Sequence, residues 1–67
     1  MPQEIIDLLI GLVNTGGSST RIAALNALGE GAPATDDVIN CLRRAAEHGG
    51  ADTRAAAITS LGKIYCK

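Results

Sequence analysis

Two stretches decide the fold: Thr20-Arg21-Ile22-Ala23-Ala24-Leu25-Asn26-Ala27-Leu28-Gly29 and Asp52-Thr53-Arg54-Ala55-Ala56-Ala57-Ile58-Thr59-Ser60-Leu61-Gly62. A single shift of the chain that lays Thr20-Arg21 on Thr53-Arg54 also lays Ala23-Ala24 on Ala56-Ala57, and Leu28-Gly29 on Leu61-Gly62. Both stretches are rich in Ala and Leu, the strongest helix formers, and carry their larger apolar residues at helical spacing. Each reads as an amphipathic helix running up to a glycine.

Working outward, the same register places Gly16-Gly17 on Gly49-Gly50, and Glu4, Ile5, Ile6 and Leu9 on Asp37, Val38, Ile39 and Leu42. The repeat therefore covers nearly the whole chain and predicts a single domain, residues 1–67, made of two units, 1–33 and 34–67. Each unit holds two helical patterns parted by a glycine pair, a pair that readily takes positive φ and so ends a helix. The expectation is an all-α protein of four helices.

The first helix is expected over residues 2–15, with Pro2 at its first position, Glu4 in its first turn, and Ile5, Leu8, Leu9 and Leu12 at helical spacing. Ser18 or Ser19 is expected to cap the second, which runs through Ile22, Leu25 and Leu28 to Gly29. A turn rich in Gly, Ala and Pro follows, from Gly29 to Ala34, and Thr35 caps the third helix with Asp36 and Asp37 favourably placed against its dipole. Asp52 caps the fourth, which carries Ala57, Ile58, Leu61, Ile64 and Tyr65.

Composition agrees and narrows the function classes. The apolar share is 46%, drawn from aliphatic residues with one Tyr and no Phe or Trp, so strand formers are scarce. Six Lys and Arg against seven Asp and Glu give a net charge of −1, and no long-range positive field draws in a phosphate backbone. The most apolar stretch, Leu8 to Val13, falls well short of the roughly 20 residues that span a bilayer. No basic region precedes an apolar run at the N-terminus, so no secretory signal is expected, and the two cysteines, Cys41 and Cys66, suit a reducing compartment. The expected location is the cytoplasm.

The two opening stretches resemble the second helix of HEAT-like repeats, of the kind also found in proteins similar to bilin lyase subunits, whose pattern runs acidic cap, Val-Arg, alanines, Leu-Gly. Both units keep the Arg, the alanines and the Leu-Gly; each has Thr in place of Val, and the first has Ser19 in place of the acidic residue. The resemblance implies a short α-solenoid or right-handed superhelical bundle that presents a surface to partners, usually proteins and sometimes nucleic acid. Two units are few, since about three repeats are normally needed to bury a continuous core, so pairing with itself or with a larger assembly is expected.

Positions shared by the units are explained by packing, so function is sought where they differ. Leu8, Ile10 and Leu12 align with Cys41, Arg43 and Ala45, which makes the first helix the more apolar of the pair. It has two apolar faces. One is core, and the other, centred on Ile10 with Ile6 and Val13, is the candidate interface. The alternative is that this helix is central and buried all round. Sequence leaves the two open.

Other residues carry weaker signals. Arg21, Arg43, Arg44 and Arg54 form a candidate basic strip, read either as a surface for phosphates or as braces to helix ends and carboxylates; no aromatic residues interleave them. His48 sits at the end of the third helix, where an imidazolium suits the dipole. Cys41 lies on a core-facing pattern as a small hydrophobe, while Cys66 is expected to be exposed. Asp36 and Asp37 are adjacent and point about 100° apart on a helix, so they do not form an acid–base pair. No catalytic residue, cofactor or metal ligand is expected. The expected function is a non-catalytic module for protein interaction or self-assembly. The alternatives are a nucleic-acid-associated protein using the arginine strip, and a lyase-type accessory factor.

Overall fold

The structure, a computed structural model, describes residues 1–65. Four helices follow one another: α1 (Gln3–Thr15), α2 (Ser18–Gly31), α3 (Asp36–His48) and α4 (Ala51–Tyr65). α3 begins and ends one full repeat after α1, and α4 begins one full repeat after α2, in the register that lays Thr20 on Thr53. The chain folds into a globule measuring 25 × 24 × 16 Å. Among the described residues no helix is long and apolar enough to cross a membrane.

The largest contact in the molecule joins α2 to α4, with α3 laid against α4, α1 against α2, and a smaller meeting of α1 with α3. Small residues make the central contact close. Ser60 is buried in α4 and its hydroxyl donates to the Leu25 carbonyl of α2 at 2.7 Å. Opposite it, a Cβ added to Gly29 would lie 2.7 Å from the Ser60 Cβ, nearer than side chains approach, so only glycine fits. Leu25, Leu28, Leu42 and Val38 are fully enclosed and share one core cluster with Ala24 and Ala57. Burying a Leu or Val side chain stabilises the fold by about 1.5–3 kcal/mol, so this aliphatic cluster is the main source of stability.

The glycine pairs end α1 and α3 where the sequence predicts, by a different device. No described glycine has positive φ; Gly16 and Gly49 are extended, with φ of −76° and −73°. Their lack of a side chain is used for space. A Cβ on Gly16 would lie 2.7 Å from both the Leu12 carbonyl and the Thr20 methyl, and one on Gly49 would meet the Ala45 carbonyl and Thr53 methyl at the same distance. Each turn folds tightly onto a threonine in the first turn of the next helix.

The caps also differ from expectation. Gly17, not a serine, precedes α2, and no side chain bonds its first amides. Asp52 is already the second residue of α4. Pro2 precedes α1, with its carbonyl accepting from the Ile5 and Ile6 amides at 3.1 Å. Thr35 holds the cap position of α3, but its hydroxyl donates to the Asp37 carboxylate, which also accepts from the Val38 amide at 3.0 Å.

Candidate contact surface

α1 carries apolar residues around most of its circumference, and the structure divides them into an inner and an outer set. Ile6 and Val13 are 2% and 6% exposed and belong to the core, with Ile10 half-buried between them. The face selected from sequence as the candidate interface is therefore the inner one. Its reverse is open: Ile5 is 41% and Leu8 56% exposed, flanked by the half-buried Leu9 and Leu12. The helix is thus neither buried all round nor free on the Ile10 side. Two apolar faces exist, and the one that carries Ile6 and Val13 is the buried one.

The second unit shows what such a face does when covered. Val38, Cys41, Leu42 and Ala45 are the repeat counterparts of Ile5, Leu8, Leu9 and Leu12, and all four are buried. The opposite pattern appears at the other end of the molecule. Leu25 is buried while its counterpart Ile58 is 60% exposed, and Ala32 is buried while Tyr65 is 68% exposed. Each end of the protein thus shows apolar side chains at positions that the other unit keeps inside.

The four arginines do not form one strip of equivalent groups. Arg21 Nε donates to the Gly16 carbonyl at 2.7 Å, and Arg54 Nε to the Gly49 carbonyl at 3.0 Å. Both therefore brace the turn that precedes their own helix, satisfying a carbonyl left without an intrahelical partner. Arg43 and Arg44 lie exposed on α3.

A groove of about 310 Å³ runs between the helix ends, and Arg21, Arg44, His48 and Cys41 line it. That volume lies at the bottom of the range of small-molecule sites, roughly 300–1,000 Å³. Its chemistry is weak. Burial pushes the Cys41 thiol above its ordinary value, against the lowering effect of Arg44 and with a small addition from Asp37, so the sulfur is held as a thiol and not as the nucleophilic thiolate. His48 is exposed, ends α3, and lies 3.9 Å from Glu47, also exposed, a pair worth little in water. Among the described residues no three His, Cys, Asp or Glu side chains come together as a metal site. Cys66 lies outside the described residues.

No protein-family model, curated protein or solved structure matches this chain.

Proposed function

We propose that this protein is a non-catalytic interaction module of the HEAT-like kind, and that the outer face of α1 is its contact surface. The observation that carries the reading is the exposure of Ile5 and Leu8 beside Leu9 and Leu12, at positions whose counterparts Val38, Cys41, Leu42 and Ala45 are core. A contiguous apolar face turned to solvent has a cost in solubility, and contact with a partner accounts for it. The twice-used brace from arginine to the helix-ending glycine, at equivalent positions of the repeat, supports the kinship of the two units.

Neither alternative gains an observation. Two of the four arginines are committed to backbone carbonyls, which weakens the nucleic-acid reading. The lyase-type reading has a small groove with a protonated thiol to draw on.

The test compares Leu8→Lys with the wild type in dilute solution, reading helix content by circular dichroism and apolar surface by a naphthalene-sulfonate dye. Helix content should stay unchanged while dye binding falls severalfold. Loss of the helical signal would make Leu8 part of the fold and remove the contact reading.

A further inference from the structure

We propose that the two ends of this molecule are the two sides of one interface, so that copies of the chain stack head to tail, the C-terminal end of one covering the α1 face of the next. This rests on the reading of that face as a contact surface and names its occupant.

The junction inside the chain is the template. There, Val38, Cys41 and Leu42 of the second unit are buried, and so are Ile6, Leu25 and Leu28 of the first. The counterparts of the first set, Ile5, Leu8 and Leu9, are open or half-open on the N-terminal end. The counterparts of the second, Ile39, Ile58 and Leu61, are open or half-open on the C-terminal end. Repeating the internal register between molecules brings these two sets together. The surface that fits the α1 face is therefore one the protein itself carries.

Three further features support that register. Gly29 is required because Ser60 presses on it, yet its counterpart Gly62 has nothing among the described residues within 4 Å of where a Cβ would stand. A helical glycine is destabilising relative to alanine, and the described residues give Gly62 no steric reason. In the stack, Gly62 faces the Ala27 of the next copy, as Gly29 faces Ser60 within the chain.

The second feature is charge. Glu30 and Lys63 occupy equivalent positions and pair across the internal junction. The same register sets the Lys63 of one copy beside the Glu30 of the next, so opposite charges alternate along the stack. Third, the C-terminal end carries Tyr65, the chain's one aromatic residue and the type that anchors interfaces, and it is 68% exposed. Among the positions that differ from the template, Arg43 replaces Ile10 and lays an aliphatic stem where that side chain stood, and Asp36 meets Glu4 at an exposed rim that salt screens. A head-to-tail contact of this kind uses different patches on the two partners and does not stop at a dimer unless its rotation closes a ring.

The experiment is sedimentation equilibrium, under reducing conditions, on the wild type, Leu8→Lys, Ile58→Lys and a 1:1 mixture of the two variants. Wild-type mass should climb with concentration through integer multiples beyond two. Each variant alone blocks one end and should remain a monomer, with at least a tenfold loss of association and wild-type helix content. The mixture keeps one good end of each kind and should form a species of twice the monomer mass and no larger. Should Ile58→Lys lose helix content, Gly62→Leu replaces it, whereas loss of helix content in Leu8→Lys removes the contact reading itself.

A wild type that stays monomeric, a mixture that stays monomeric, or an Ile58→Lys protein that associates as the wild type does would each overturn head-to-tail stacking. In the last case the α1 face pairs with itself, and the contact reading survives without this one. Dye binding indifferent to Leu8→Lys would instead remove the contact reading.

Discussion

α1 and α3 occupy equivalent places in the two units and live in opposite surroundings. α3 buries Val38, Cys41, Leu42 and Ala45, and turns Arg43, Arg44 and Glu47 to solvent. α1 buries Ile6 and Val13 on a different face and leaves Ile5 and Leu8 open. The difference follows from stacking: a position facing forward is covered in the first unit and bare in the last, and a position facing backward is the reverse. Equal sequence positions in a short repeat therefore do not have equal energies. Each can be core in one copy and surface in the other.

The largest effect that tests this contrast is at Leu25 and Ile58. Leu25→Ala should cost about 2–5 kcal/mol, as deletions of enclosed aliphatic groups do, while Ile58→Ala on the exposed face should cost well under about 1 kcal/mol. Urea unfolding of both variants in dilute solution reads the difference, and similar costs would break it.

A change of sign is expected at the paired glycines. Gly29→Ala places a carbon 2.7 Å from the Ser60 Cβ and should destabilise by about 1–3 kcal/mol. Gly62→Ala meets nothing within 4 Å among the described residues and should stabilise the dilute protein by roughly 0.5–1 kcal/mol through helix propensity. Thermal melts of the two variants should move in opposite directions.

Ser60→Ala removes the buried hydroxyl that bonds the Leu25 carbonyl, and should cost about 1 kcal/mol in the same unfolding assay. An unchanged midpoint would show that the α2–α4 crossing is held by shape alone.

The smallest effect is at Asp37. The Thr35 hydroxyl, then the Gln3 amide, hold its carboxyl below the usual value. A depressed folded value contributes stability that is present above the ordinary carboxylate range and is lost as pH falls through the folded value. The gap in urea midpoint between wild type and Asp37→Asn should therefore be open at neutral pH and close at strongly acidic pH. A gap that widens on acidification would contradict the assignment.

Much of this was legible in the residues. Helix positions agree with the expected ones to within about two residues, because glycine pairs and the Pro33 turn punctuate strong Ala- and Leu-rich patterns. Two things were not. The glycines end α1 and α3 by letting the turn close on Thr20 and Thr53, a spatial demand that leaves the same residue in the sequence as positive φ would. The inner face of α1 was also hidden, since Ile5, Ile6, Leu8, Leu9, Ile10, Leu12 and Val13 surround the helix and leave its period uninformative. α3 held the missing signal. Its Val38, Cys41, Leu42 and Ala45 form one clear stripe, which marks the backward-facing positions, whereas Arg43 marks a forward-facing one that Ile10 fills in the first unit.

Leu9 and Leu42 test the central claim most directly, being the same side chain at the same repeat position in the two units. Leu42 is wholly enclosed and Leu9 is half-buried beside the open face. Leu42→Ala should cost about 2–5 kcal/mol in urea unfolding of the dilute protein, and Leu9→Ala less than half of whatever Leu42→Ala costs. Equal losses would contradict the account, since α1 would then carry core on both faces and have no surface to offer.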